Sequence, residues 1–395
     1  MSRPPTFATA LACLCVCLAI PPATANAEDT TMDRSAPATS ARLLSDTVGI
    51  FHELIGRFEQ HGVAASSDAP MEFYLQPCVY LSLHLVQMRE AGWDDIDYDH
   101  IAAVSGASAL FAYEPDSFDP KYANLSIGMD DRIADATGFG YAWTPFSGAE
   151  GAWRAIVQSV DAGRSVKGWD WENILFAGYE DAGESAERRV YAMTDGPGTY
   201  SKWLTWEEFG SWVARIEEWG VGKLGSHTER VPTRPAGDIA ARVLGDLVAW
   251  SDESPQHLRE KHPDATFGLA GIELYAEHCA DMEQFEDFGS CHGINPLWCH
   301  RNSSAAYLRR VADEDVFAEA TDERLTTAAN EFRAAYLYWK QFGLHLTHGG
   351  SEGAGTSKEH REEGASALRK ALAHEKAALA AAAQALEGME MGVVH

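Results

Sequence analysis

The chain has 395 residues, of which 46% are hydrophobic and 10% aromatic, enough apolar side chains for the cores of one or two ordinary domains. Its 31 Lys and Arg residues stand against 59 Asp and Glu residues, which gives a formal net charge of −28 at pH 7. Because so acidic a surface repels phosphate groups, we exclude nucleic acids and anionic membranes as partners of the folded chain.

Residues 1–27 have the three-part pattern of a secretory signal peptide. Arg3 precedes an apolar run from Phe7 to Ile20, and Ala25-Asn26-Ala27 supplies a small-residue cleavage site. The apolar run is too short to span a bilayer as a stable helix. We therefore expect a secreted protein, periplasmic or extracellular, that is soluble after signal cleavage. An oxidising compartment favours disulfide bonds among the four remaining cysteines, which are Cys78, Cys279, Cys291 and Cys299.

The part of the chain before residue 220 predicts a mixture of helices and strands. Residues 28–71 form a polar leader and a helix at about 41–61, and another helix follows over 78–90. Residues 98–113 have the Gly- and Ser-punctuated pattern of strands. The remaining predicted elements are a helix at 149–162, strands at 174–179 and 189–193 joined by a hairpin turn, and a helix that Thr205 and Glu208 begin as a capping box.

The second half of the chain predicts helices only. Glycines and prolines make 221–235 a linker. The helical spacing of apolar residues then predicts an all-helical domain over 236–390, with helices at 237–252, 267–286, 302–314, 322–346 and 357–388. Asn302 or Ser303 is the expected cap of the third of these helices. The fold class predicted for the whole chain is α+β.

Cys78 is the first candidate for chemistry. Gln76 and Pro77 precede it, and an amphipathic helix follows, so the thiol lies at or near a helix N-terminus. The backbone N–H groups there favour an anion, which lowers the pKa of a thiol and makes it more nucleophilic. Gln76 could donate a hydrogen bond to an oxyanion. The alternative is a buried structural cysteine or one half of a disulfide.

Three Cys-His neighbours occur within residues 278–300. They are His278-Cys279, Cys291-His292 and Cys299-His300. Thiolate and imidazole suit zinc or copper, but the Cys-x-x-Cys spacing of a zinc finger is absent, and we assign no metal and no cofactor. A disulfide that pins the loop 287–301 is one alternative, and a ligand-facing or base-supplying role for His292 or His300 is another.

The same loop is also the candidate substrate-binding region. It combines polar side chains with a tryptophan at a predicted domain junction, where a small-molecule or peptide substrate would fit. The candidate residues are His292, Asn295, Trp298 and Arg301.

Residues 72–215 resemble the papain-like fold of the bacteriocin-processing type of cysteine peptidase. The matching pieces, in chain order, are Gln76-x-Cys78, Val104-Ser105-Gly106, the run from Ile174 to Asp181, Thr194-Asp195-Gly196-Pro197, and Leu204-x-x-Glu207-Glu208-Phe209-x-x-Trp212. The resemblance implies that Cys78 is the nucleophile, Gln76 the oxyanion donor and Asp195 the acid that orients the base. It departs from the family at Val79, where a Gly is usual, and at Trp171-Glu172-Asn173, where the catalytic His should stand.

The second half is similar to the C-terminal part of butirosin-biosynthesis H-type acyltransferases. The motifs are Gly268-x-x-Gly271-Ile272-Glu273-Leu274-Tyr275-Ala276 and Asn330-Glu331-Phe332-Arg333-x-x-Tyr336. The resemblance implies a papain-like domain at 72–220 that performs Cys-dependent acyl transfer or amide or thioester hydrolysis. A catalytically inactive papain-like protein that binds a small molecule or peptide is one alternative, and an exported protein that binds metal through residues 278–300 is another.

Overall fold

The computed structural model describes residues 40–60, 78–114, 128–169, 173–194, 200–252, 255–280, 294–314, 317–346 and 358–392. The chain divides into two compact units. The first comprises Met1–Phe51 and Ala142–His227, and the second comprises His52–Tyr141 and Thr228–His395. The predicted signal peptide, residues 1–27, lies outside the described residues.

The chain is a mixed α and β protein, as the sequence predicts. Its division into units, however, does not follow the predicted boundaries of 72–220 and 236–390. The segment His52–Tyr141, most of which was expected in the papain-like domain, belongs to the same unit as the C-terminal helices. Long-range packing therefore divides the predicted first domain between the two units.

The first unit is built on an antiparallel sheet. Its strands are β1 (Ser40–Leu43), β3 (Tyr141–Pro145), β4 (Val166–Trp169), β5 (Asn173–Asp181), β6 (Arg189–Thr194), β7 (Tyr200–Thr205) and β8 (Lys223–His227). The order across the sheet is β3-β8-β4-β5-β6-β7, and β1 also pairs with β5. The predicted strands at 174–179 and 189–193 are thus confirmed as β5 and β6, which pair as a hairpin.

Helices α5 (Gly148–Asp161) and α6 (Trp206–Glu218) bury their apolar faces against one face of this sheet. Trp212 of α6 is central to the contact, because its indole N–H donates to the carbonyl of Trp169 at 2.6 Å. A Cβ atom at Gly168 would lie 2.9 Å from the Trp212 ring, so only glycine fits there without a shift of the helix.

The capping box predicted at the start of α6 is present. The Glu208 N–H donates to the Thr205 hydroxyl at 3.2 Å, and the Thr205 N–H donates to the Glu208 carboxylate at 2.8 Å. We expect Thr205→Ala to lower the free energy of unfolding by about 1 kcal/mol, because one N–H of the first turn loses its acceptor. Urea denaturation measures this effect. Glu208→Gln is the control, since Gln can still accept from the N–H of Thr205, and an equal loss in both variants would contradict the argument.

The second unit is mainly helical. Helix α1 (Ser45–Gln60) begins in the first unit and ends in the second. The helices that follow in the second unit are α2 (Val79–Glu90), α3 (Tyr98–Val104), α4 (Met129–Thr137), α7 (Ala236–Asp252), α8 (Gln256–Lys261), α9 (Gly268–Ala280), α10 (Ile294–Asp313), α11 (Glu319–Leu346) and α12 (Lys358–Gly392). No helix in the described part of the chain is both long and apolar enough to cross a membrane.

Three local predictions for this part of the chain are wrong. Residues 98–104 form helix α3 instead of a strand, because the Asp97 carboxylate accepts from the N–H of His100 and caps a helix there. The predicted linker 221–235 contains strand β8, which inserts between β3 and β4. The C-terminal domain is not entirely helical, since the short strand β9 (Thr266–Phe267) pairs with β2 (Ala112–Tyr113).

The predicted start of a helix at Arg301–Ser304 is also wrong. Helix α10 begins at Ile294, and the residues expected to cap it lie in its interior, fully buried. Their polar side chains are satisfied by tertiary partners instead of by the backbone of a first turn. For example, the Ser303 hydroxyl donates to Asp99 at 2.8 Å, and the Asn302 side chain accepts from Arg333 at 2.6 Å.

Candidate functional site

Cys78 lies at the start of helix α2, where the sequence predicts it. It is the N-cap residue, with extended backbone angles of φ −61° and ψ 113°, and its carbonyl accepts from the N–H of Ser82 at 2.9 Å. The first turn of α2 contains no acidic residue. Cys78 is only 6% exposed, so the thiol is in a nearly closed environment at the positive end of the helix dipole.

The backbone N–H of Cys78 is bound by a tyrosine. It donates to the hydroxyl of Tyr98 at 2.8 Å, and Tyr98 is buried as the first residue of α3. In acyl-transfer sites, the N–H of the nucleophile commonly stabilises the oxyanion that forms on the substrate. Here the Tyr98 hydroxyl oxygen already accepts a hydrogen bond from this N–H group. Sequence reasoning did not identify Tyr98, because it lies in the segment that was predicted as a strand.

His300 lies behind this hydroxyl. Its Nε2 atom is 3.5 Å from the Tyr98 oxygen, and the whole side chain is buried in α10. Burial, together with the adjacent positive charge of Arg301, lowers the pKa of His300 to about 3, although a hydrogen bond to the backbone of Ala107 opposes the shift. The imidazole is therefore neutral at physiological pH, and the tyrosine hydroxyl can donate to its unprotonated nitrogen.

One face of α10 holds helix α3, and with it Tyr98. His300, Ser303 and Arg310 follow one another at helical spacing and contact three consecutive residues of the α3 N-terminus. Arg310 pairs with Asp97, and the Ser303 hydroxyl donates to Asp99. These contacts fix the position of the tyrosine hydroxyl relative to the backbone of Cys78.

Arg301, a predicted substrate-binding residue, has internal partners. Its Nε and Nη2 atoms lie 2.9 and 3.0 Å from the two carboxylate oxygens of Glu375, and its Nη1 atom donates to the carbonyl of Ser108 at 2.7 Å. The indole N–H of Trp339 donates to the same carboxylate. Arg301 is 4% exposed and Glu375 1% exposed, so the guanidinium forms part of a buried ion pair.

The other predicted site residues are distributed as follows. Asn295 and Trp298 lie in the first turns of α10, not in a loop, so the expected loop conformation is wrong at those positions. Gln76, Asp195 and His292 lie outside the described residues, and the roles predicted for them stay predictions. Of the histidines that the structure describes, His300 lies 3.5 Å from the Tyr98 hydroxyl that contacts the Cys78 N–H.

The disulfide and metal hypotheses are decided only in part by the described residues. Cys279 is fully buried near the end of α9, and it is not disulfide-bonded to Cys78. Cys291 lies outside the described residues, so disulfide bonding in residues 278–300 stays a prediction. Within the described ranges, no group of three or more His, Cys, Asp or Glu side chains is arranged to hold a metal ion.

His84, on the same helix as Cys78, belongs to a second buried polar cluster. Its Nδ1 atom lies 3.7 Å from a carboxylate oxygen of Asp130, which also accepts a hydrogen bond from the hydroxyl of Tyr80. The imidazole packs against Tyr141 and Phe139, with ring centroids 4.7 and 5.1 Å apart. Because this imidazole packs against Asp130 and the surrounding rings, we assign His84 a structural role in packing α2 against its neighbours.

Comparison with known proteins adds no assignment. No protein-family model matches the chain, and no curated protein is similar enough to be called a relative. The papain-like assignment consequently rests on the short motifs described above.

Proposed function

We propose that the protein performs thiol-dependent acyl transfer, or hydrolysis of an amide or thioester, with Cys78 as the nucleophile. The observation that supports this proposal is the position of Cys78 at the N-cap of α2, with its backbone N–H in a hydrogen-bonded chain to Tyr98 and His300. The helix dipole favours the thiolate at this position. The resemblance to papain-like peptidases and acyltransferases adds Gln76 and Asp195 as predicted partners.

The reaction would proceed in two balanced steps. The Cys78 sulfur, having lost its proton to solvent, attacks the carbonyl carbon of the substrate and forms a carbon–sulfur bond. The bond to the leaving amine or thiol breaks, and the leaving group takes up a proton from solvent. An acceptor nucleophile or water then attacks the acyl-cysteine, loses its own proton to solvent, and releases the Cys78 thiolate as the carbon–sulfur bond breaks. During both steps the substrate oxyanion needs the N–H of Cys78 as a donor, so the Tyr98 hydroxyl must move aside.

His300 would have a positioning role in this scheme. A histidine whose pKa is about 3 is too weakly basic to take the proton of a thiol near neutral pH. It instead accepts a hydrogen bond from Tyr98 and, before substrate binds, holds the hydroxyl on the N–H of Cys78 that the oxyanion then takes over. The chemistry of the site therefore depends mainly on the helix N-terminus and not on a Cys-His pair.

Alkylation of the folded protein with iodoacetamide at pH 6 and pH 8, followed by peptide mass spectrometry, tests the proposal. We expect Cys78 to react faster at pH 6 in the folded protein than in urea-unfolded protein, because the backbone N–H groups at the helix N-terminus favour the thiolate. Cys279 is an internal control, because it is buried and lies near a helix C-terminus. If Cys78 reacts more slowly folded than unfolded at pH 6, the nucleophile assignment is wrong.

A second candidate function is binding without catalysis. The near-complete burial of Cys78 and the Tyr98 hydroxyl on its N–H favour this alternative, because they leave the thiol little access to a substrate. A protein of this kind would keep an unreactive Cys78, and Cys78→Ala would leave its ligand binding unchanged. The alkylation experiment therefore distinguishes the two candidates.

A further inference from the structure

Strands β4 and β8 of the first unit carry an unusual pair of lysines. Lys167 of β4 lies directly opposite Gly225 of β8, and Lys223 begins β8 two residues earlier. Both ammonium groups lie over the ring of Trp143 on β3, at 5.7 and 4.9 Å from its centroid. The three side chains therefore come from three neighbouring strands, with a glycine leaving space between them.

The position of Trp143 follows from the pairing of β3 with β8. The Phe146 N–H donates to the carbonyl of Gly222, in the antiparallel direction, which brings Trp143 level with Gly225. Because Gly225 has no side chain, the indole ring can lie across β8 toward Lys167. Lys167 is fully buried, whereas Lys223 and Trp143 are partly exposed. Solvent, and a small solute, can consequently reach the Lys223 side of the ring.

Two like charges on one ring are notable in this chain. The sequence has nine lysines among its 395 residues and a net charge of −28. The side-chain nitrogens of two of the nine lie over the same ring, at 5.7 and 4.9 Å from its centroid, so each raises the positive potential near the other.

The surrounding strands are free of acidic residues. Residues 164–169 and 221–228 contain no Asp or Glu, although acids make up 59 of the 395 residues of the chain. Arg164 extends the positive charge to the far end of β8, where its Nη1 atom donates to the carbonyl of His227 at 3.2 Å. In the described part of the chain, no carboxylate lies within ion-pair distance of Lys223 or Arg164, and the buried Nε atom of Arg164 has no hydrogen-bond partner.

We propose that the β4–β8 strand pair binds a small oxyanion group, a carboxylate or a phosphate, at Lys223. The ammonium of Lys223 would donate hydrogen bonds to the anion, and Lys167 and Arg164 would raise the local positive potential. The acidic remainder of the surface repels anions, so binding is confined to this strip. This proposal does not depend on the chemistry of Cys78.

Isothermal titration calorimetry at constant ionic strength tests the proposal, with inorganic phosphate and acetate as separate probes. We expect wild-type protein to bind at least one of the two, and Lys223→Gln to bind that anion about tenfold more weakly, because one charge-assisted hydrogen bond is lost. Binding of phosphate but not acetate would identify the physiological group as a phosphoryl, and the reverse would identify it as a carboxylate.

Lys202→Gln is the matched control. Lys202 is an exposed lysine on the edge strand β7 of the same sheet, and it lies 3.1 Å from the Glu208 carboxylate. We expect this variant to bind the anion as wild type does. The proposal is overturned if wild type binds neither probe, or if the two lysine variants weaken binding equally. Far-UV circular dichroism of Lys223→Gln verifies that the sheet is intact.

Discussion

Glu375→Leu is expected to lower the free energy of unfolding by about 3–5 kcal/mol, the largest effect of any single substitution considered for this chain. The reason is that Arg301 would keep its charge in the interior of the helical unit without a counter-ion, since it is 4% exposed and binds both carboxylate oxygens of Glu375. The indole N–H of Trp339 would lose its acceptor as well. Urea denaturation monitored by tryptophan fluorescence measures the change.

The double variant Arg301→Leu with Glu375→Leu provides the control. Removing both charges leaves no unpaired ion, so we expect it to be more stable than either single variant. If the two single effects instead add up in the double variant, the destabilisation comes from lost packing volume and not from an unpaired charge. The prediction also bears on function, because a guanidinium held in this way is not available to bind a substrate.

The second large effect concerns pH. In the unfolded chain His300 takes up a proton near its ordinary pKa of 6.5, whereas in the folded chain burial and Arg301 keep the pKa at about 3. Between these values the unfolded state binds more protons, so the free energy of unfolding falls as the pH falls below 6.5. The slope from His300 is at most about 1.4 kcal/mol per pH unit.

Urea denaturation at pH 7.5, 6.5, 5.5, 4.5 and 3.5 measures this dependence. We expect His300→Gln to have a shallower slope below pH 6.5 than wild type, whatever its absolute stability. His100→Gln is the comparison. Burial and Arg310 lower the pKa of His100 to about 4, so this residue contributes to the pH dependence of unfolding down to about pH 4, whereas His300 contributes down to about pH 3. An unchanged slope in His300→Gln between pH 6.5 and 5.5 would show that this imidazole has the same pKa in the folded and unfolded chain, which contradicts the prediction.

Local patterns in the sequence predicted much of the secondary structure. The continuous apolar run at 174–179, the turn that follows, and the Thr205 capping signal all correspond to features that neighbouring residues determine. The position of Cys78 at the start of α2 was predictable for the same reason. In each of these cases the residues that decide the structure are adjacent in the chain.

The failures occur where distant residues decide the structure. Strand β8 resembles a linker because Gly222 precedes it and Gly225 lies within it, yet its neighbours β3 and β4 supply hydrogen-bond partners. The polar run Arg301–Ser304 resembles a helix start because Asn and Ser are good caps. Its partners Asp99, Arg333 and Glu375 are far away in sequence, and no local pattern indicates them. Tyr98 and its contact with Cys78 could not be predicted for the same reason.

The contact between Tyr98 and His300 has a consequence for the time course of folding. The two residues are 202 positions apart in the chain. At roughly 5–20 residues per second, a ribosome needs on the order of 10–40 s to synthesise the residues between them. Throughout that interval helix α3 lacks α10, the helix with which it has its most extensive contact. The helical unit therefore completes its core only after most of the chain has been synthesised, and its earliest helices are exposed to proteases and chaperones for longest.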